Sequence, residues 1–333
     1  MTAAFRAVCG TFLLSLTPAA YAQSITTEAA FNAGYSTDDV AAAAVQVRAF
    51  GDLRGSVHYF GEASWANTSD HDSDSFGAAY PYANRVQVIE AYAERTFRPA
   101  AGIFSVRAGR FRTPFGISGG SDHAYTGFLR APLIRYDPEL TLSNTFLENG
   151  VDLVGGVPHL TAEVALGAPG DVGVDVRRSG LDAIFRIQGY YGPFIVGVSH
   201  SRESPAGFDD EAPGRAHYSG VDIRWMYNGV LLRGEWMTGQ PFDGASTRGW
   251  YADLLLHRTF MGPVTFVARL ERLDVDSSDA EYTEAARRQI IGARIRMREA
   301  LALTVNVQHR TSHSDEYPPA GVDIGLSWSL RRP

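Results

Sequence analysis

The sequence contains no lysine and a single cysteine, Cys9, among its 333 residues, so all 30 basic residues are arginine. One thiol excludes a disulfide framework and a thiolate metal cluster. No apolar run reaches the roughly 20 residues that a membrane-crossing helix needs, which excludes a bundle of such helices. The arginines are scattered, the formal net charge is -7 and the pI is about 5.7, so the basic footprint of a nucleic-acid-binding protein is missing. Helical periodicity is nearly absent, and neither a Gly-rich phosphate loop nor zinc-ligand spacing occurs. No cofactor is implied. What is present is 45% hydrophobic residues, 11% aromatics and 34 glycines, a mix too aromatic for a disordered chain.

Residues 1–22, MTAAFRAVCGTFLLSLTPAAYA, carry one positive charge at Arg6, an apolar stretch to Leu16, Pro18 and the small-x-small site Ala20-Tyr21-Ala22. That is the layout of a cleavable secretory signal, and its removal takes Cys9 with it. The exported chain, 23–333, then depends on its core and hydrogen-bond ladders rather than on disulfides.

From about residue 26 onward, segment after segment alternates apolar and polar residues, the pattern of strands with one greasy and one wet face. Leu301, Leu303, Val305 and Val307 share one face, and Ala302, Thr304, Asn306, Gln308 and Arg310 share the other. Short Gly, Pro or Asn connections at 51–52, 98–99, 157–158, 192–193, 228–229, 262–263 and 298–299 take turns with long polar loops. These loops cover roughly 67–84, 113–148, 168–180, 204–216, 239–248, 275–287 and 311–320. Tight turns on one rim and long loops on the other, with segments of about 10–13 residues, predict a transmembrane antiparallel β-barrel. The expectation is all-β, about sixteen strands, with short periplasmic turns and long extracellular loops. A soluble β-sandwich also alternates, but its packed interior would not take this many ionised side chains. Tyr190, Tyr191, Tyr227, Trp236, Trp250, Phe260 and Trp328 fall near segment ends, where aromatic girdles form.

Closing sixteen strands leaves an aqueous lumen that side chains cannot fill. By parity the lumen wall includes Arg186, Arg224, Arg233, Glu235, Asp253, Arg294 and Arg296, together with Arg48, Glu62, Glu90, Glu94, Asp182, Asp222, Arg269, Glu271, Arg310 and Asp323. Arg107, Arg110 and Arg112 precede the longest loop, 113–148, which carries Arg130 and Arg135. Gathered where that loop meets the wall, these guanidiniums would favour anionic solutes. Neutralisation by Asp122, Asp137, Glu139 and wall carboxylates such as Glu90 and Glu94 is the competing reading. Loop 113–148 is too long for a connector and rich in apolar residues, so it either folds into the lumen as a constriction or caps the mouth.

The stretch VQVIEAYAERTF, followed by VRAGRFRTPFGI, resembles the strand pair and loop entrance of the phosphate-selective porin family and its wider group of sixteen-stranded trimeric porins. The matching positions are Glu90, Ala91, Tyr92, Val106, Arg107, Gly109, Arg110, Phe111, Pro114, Phe115 and Gly116, and Asn149-Gly150-Val151-Asp152 resumes the wall after the loop. The resemblance implies a homotrimer in the outer membrane, among lipid and lipopolysaccharide. It also implies passive diffusion of small hydrophilic or anionic solutes through a pore narrowed by an inward loop. It does not extend to phosphate, because the family's pore lysines have no counterpart here. The chain also ends Arg331-Arg332-Pro333 instead of on a terminal aromatic.

Enzyme chemistry finds little support. His200 and Ser201 are adjacent on a strand and so point to opposite faces, a poor base–nucleophile pair. His309 and His313 would face one another only on a helix. Asp70, His71, Asp72 and Asp74 read as a solvated loop tip with some capacity for calcium or for divalent bridges to lipopolysaccharide. The rival readings are a plugged structural or adhesive barrel, and a barrel enzyme.

Overall fold

The computed structural model describes residues 24–37, 40–53, 56–68, 86–117, 127–135, 147–170, 177–178, 180–204, 206–207, 215–241, 245–257, 262–276, 284–311 and 320–332. The expected signal segment 1–22, Asp122, Asp137, Glu139 and the acidic tip 70–74 lie outside them.

Sixteen strands close into an antiparallel barrel in which each pairs with its sequence neighbours and the first with the last. They are β1 Thr26–Ser36, β2 Ala41–Leu53, β3 Val57–Thr68, β4 Val86–Phe97, β5 Ile103–Arg112, β6 Leu147–Val157, β7 Leu160–Pro169 and β8 Asp182–Tyr191. The second half is β9 Phe194–Arg202, β10 His217–Tyr227, β11 Val230–Gln240, β12 Ser246–Leu256, β13 Val264–Asp276, β14 Glu284–Arg298, β15 Leu301–Thr311 and β16 Ala320–Arg332. Closure runs from Thr27 opposite Arg332 to Ser36 opposite Asp323. It leaves no open edge, so every strand's backbone polar groups have ladder partners on both sides.

Seven connections, at 54–56, 98–102, 158–159, 192–193, 228–229, 257–263 and 299–300, form one rim. The turn expected at 51–52 does not fall there: β2 runs on to Leu53, with Gly51 opposite Tyr59 and Leu53 opposite Val57. At 228–229 both central residues have positive φ, 48° for Asn228 and 74° for Gly229, the backbone that an Asn-Gly hairpin requires. The other rim carries the longer connections and also the short link 37–40 between β1 and β2, which the loop pattern did not mark. Two residues at 177–178 pair with 206–207, tying together the two loops that flank β8 and β9.

The barrel is inverted relative to a soluble fold. Ile291 on the outer face is 69% exposed, whereas Arg288, three residues earlier and facing inward, is 1% exposed. Outside, Val, Leu, Ile, Phe and Trp dominate the exposed large residues. Inside lie paired arginines and carboxylates. On the outer face near the turn rim, Phe194, Trp225 and Tyr227 stack in sequence, with centroids 6.4 and 6.2 Å apart. Tyr190 leaves that girdle for the lumen, where its hydroxyl meets Thr161 Oγ1 at 3.1 Å. Phe260 lies outside the described residues.

Candidate functional site: the lumen and its inward loop

The long connection from β5 to β6 turns into the barrel. Its first described leg, 113–117, leans on β8 to β11. Gly116 N–H donates to Ser199 Oγ at 3.1 Å, Arg186 donates to Gly116 O, and Phe115 lies against Gly220, whose added Cβ would come within 2.9 Å of the ring. The second leg, 127–135, crosses to the far wall. There Leu129 N–H donates to Asn306 Oδ1 at 2.9 Å and Arg269 donates to Arg130 O at 3.0 Å. Arg288 donates to Ala131 O at 2.6 Å, and Leu133 N–H donates to Glu271 Oε2 at 2.7 Å. A single 3-10 turn, Leu133–Arg135, buries Leu133 and Ile134 against Met237, Tyr251, Leu273 and Ala286. This apolar packing inside a polar lumen is the cover that the loop's greasy residues need.

Two buried ion pairs fasten the loop. Arg130 forks onto Asp323, with Nε 2.8 Å and Nη2 2.9 Å from its two carboxylate oxygens, and Nη2 also donates to Ser36 Oγ at 2.8 Å. Arg135 pairs with Glu235 and donates to Phe115 O at 2.8 Å, so it joins both legs to β11. Beneath them Arg233, Arg269 and Asp253 form a shared cluster, and Arg288 lies 2.6 Å from Glu271 with both side chains fully buried. Arg269 also covers Phe128 at 4.1 Å, a desolvated cation–π contact.

Among the described residues the second leg of the loop does not reach the wall from β2 to β7, and the arginines of that wall, with Glu90 and Glu94, keep contact with solvent. Arg107 lies 3.2 Å from Glu94, with 24% and 23% of the side chains exposed, and 3.0 Å from the buried Asp152. Arg112 reaches Glu90 at 3.3 Å and Glu62 at 3.2 Å, and Arg48 reaches Glu62 at 2.7 Å. On the same wall Phe50, Phe60 and Tyr92 stack across adjacent strands at 6.3 and 5.4 Å, and Arg107 lies 4.8 Å from the Tyr92 centroid. Nearer the turn rim Arg224, Arg294 and Arg296 line the opposite wall without being fully buried.

The five arginines read as one cluster are thus distributed around the barrel, each beside different partners. Arg107 and Arg112 stay on the β2–β7 wall, while Arg130 and Arg135 go to separate parts of the wall on which the second leg lies. Arg110 departs further. It falls in register with Ala91 and Asn149, which belong to the outward set, so alternation carries it off the face that Arg107 occupies. Arg186, Arg233, Glu235 and Asp253 face inward, but they hold the loop or lie beneath it. Parity reading put Asn306 on the wet face without a role and did not mark Arg288, Ser199 and Ser36; all four hold the loop. It also missed a convergence of Glu148, Asp182 and Glu203, whose carboxylates lie within 4.8 Å of one another and of which Glu148 accepts from Thr113 at 3.0 Å. His200 points outward to Ser219 at 2.9 Å, while Ser201 is buried inside.

Gly116 is a loop position whose backbone and space both demand glycine. Its φ is +62°, and an added Cβ would overlap Glu235 Oε1 and come within 2.5 Å of Arg135 Nη2. Gly116→Val is expected to cost about 2 kcal/mol or more, from a strained backbone plus overpacking. Urea unfolding followed by tryptophan fluorescence measures this, and an unchanged midpoint would contradict the packing described.

A closed sixteen-stranded antiparallel barrel with a long loop folded against its inner wall defines the structural class. Solved structures share it. The anion-selective porin from Comamonas acidovorans superposes with a TM-score of 0.62 at 11% identity, covering 92% of this chain and 99% of that one. OmpF of Salmonella typhi, in complex with daunomycin, gives 0.64 at 11% identity, over 92% and 97%. The trimer form of OmpT, an outer membrane protein of Vibrio cholerae, gives 0.58 at 11%, over 92% and 98%. At such identities the likeness is one of fold. The sequence matches no protein-family model and no curated protein.

Proposed function

We propose that this protein is an outer-membrane porin through which small hydrophilic solutes diffuse passively, narrowed where loop 113–148 faces the β2–β7 wall. The observation that carries this reading is the division of the lumen among the described residues: one wall covered by a loop tied down with buried pairs, the other lined by arginines and glutamates that keep solvent contact. A polar passage bounded by fixed charges passes hydrated solutes and needs no reaction chemistry. The fold it shares with structures described as porins supports the same reading, as does the sequence pattern expected of an export signal at 1–22, and in this reading the turn rim faces the periplasm. The wider sixteen-stranded porin group is a better assignment than its phosphate-selective branch, because the lumen has no lysine. The assembly we propose is a homotrimer.

A weak anion preference follows from burial. The lumen carboxylates Asp152, Asp182, Asp253, Glu235, Glu271 and Asp323 are almost entirely buried, whereas Arg48, Arg107, Arg112, Arg224, Arg294 and Arg296 keep partial exposure, leaving guanidiniums to dominate the accessible surface. Glu90, Glu94 and Glu163 temper that balance. Liposome swelling with neutral sugars of graded size tests the passage. Swelling that falls with solute size is the expected result, and no swelling from folded, inserted protein would replace the porin with a plugged barrel.

A further inference from the structure

We propose that the outer face of β11 to β14, close to the loop rim, binds the phosphorylated headgroup of an outer-leaflet glycolipid, with Arg248, Arg272 and Arg287 on phosphate and Trp236 and Trp250 on acyl chain. This rests on the reading of the loop rim as facing outward in the outer membrane. Along this part of the barrel the outer surface is apolar through Leu270 and Ile291 and then changes: Trp236, Trp250, Arg272 and Arg287 stand in one cross-strand row, and Arg248 lies two residues nearer the loop rim than Trp250. A groove of about 320 Å³ opens at that change, lined by Trp236, Trp250, Arg248, Arg272, Asp274 and the backbone of Gly249. Asp274 grips Arg272 with Nε at 2.9 Å and Nη2 at 2.8 Å, which orients that guanidinium. Arg248, whose side chain is 70% exposed, lies 3.6 Å from the same carboxylate.

Arg272 and Arg287 sit directly opposite each other on adjacent strands. Like charges so placed repel, and an anion between them turns the repulsion into attraction. Asp274 is shared by two guanidiniums and leaves Arg287 uncompensated by it; Asp276, at the end of β13, is the other described carboxylate on this face. Guanidinium forks fit phosphate oxygens, and indole rings prefer the boundary between headgroup and chain. A free phosphate would use the arginines and leave the tryptophans idle. An amphiphile uses both.

The test is native mass spectrometry of the refolded mature chain in detergent with bis-phosphorylated lipid A. The wild type is expected to retain the lipid, and the Arg248→Ala/Arg272→Ala double variant and dephosphorylated lipid A should each lower retention about tenfold. The single variant Arg248→Glu, at an exposed position, should lower it as well and guards against misfolding of the double variant. Inorganic phosphate should not compete. Equal retention by wild type and variants, equal binding of the dephosphorylated lipid, or displacement by inorganic phosphate would overturn the site. The same preparations go into planar bilayers, where all should conduct alike because the groove lies outside the lumen. Silent protein that still binds lipid A refutes the porin, and conducting protein indifferent to lipid phosphate refutes the lipid site.

Discussion

Replacing Arg130 by alanine is expected to free the second leg of the inward loop and raise single-channel conductance by about 1.5-fold or more, because the constriction widens when the leg leaves the wall. Asp323, wholly buried, would lose both bonds of its fork, and Ser36 its donor. Stranding one member of a buried pair costs about 3–5 kcal/mol, far more than the intact pair contributes over a well-packed apolar substitute. The cheapest response is for the leg to detach and admit water to Asp323. The barrel ladder does not pass through Arg130, so heat-modifiable migration in gels should persist. Arg130→Ala/Asp323→Ala removes the stranded charge and should recover part of the lost stability. Unchanged conductance in the single variant would mean that the loop is held elsewhere or does not set the pore.

The second large effect is on selectivity. Arg107→Gln removes the cation lying between Glu94 and Asp152, on the wall along which the proposed passage runs. Without it the solvent-exposed Glu94 loses its cation, and exposed negative charge attracts cations and repels anions. The anion-to-cation permeability ratio should fall about threefold, read from the zero-current potential across a salt gradient. Higher ionic strength should shrink the difference, since the Debye length falls to about 3 Å at 1 M salt. Arg288→Gln, buried beneath the loop, should leave the ratio nearly unchanged while costing stability. A reversed order of these two effects would place the solute path along the wrong wall.

Much of this arrangement is legible in the sequence. Period-two alternation locates the sixteen strands and separates Arg233, Asp253 and Arg310 from Leu232, Leu254 and Val307, because one face must meet lipid and the other water. Gly, Pro and Asn mark the turns, where positive φ or a broken ladder requires them. Less legible is which charged groups meet across the lumen. Arg130 and Asp323 are 193 residues apart, and no local pattern encodes that contact. The loop's direction was equally hidden: its apolar content demands cover, but only the docking of Leu133 and Ile134 on β11 to β14 says where the cover lies. Arg110 is a different case. It stands in register with the outward Ala91 and Asn149, whereas Arg112, of the same parity but at the strand end, reaches back to Glu62 and Glu90, so alternation alone does not sort the three. The sealing of Asp253, Glu271 and Asp323 beneath the loop, and with it the balance of accessible charge, depends on tertiary packing throughout.

Single-channel recording of the refolded, unmodified protein in planar bilayers tests the central claim most directly. The account predicts stable openings in groups of three, with a zero-current potential of the sign that marks weak anion preference. Folded, inserted protein that never conducts would contradict it.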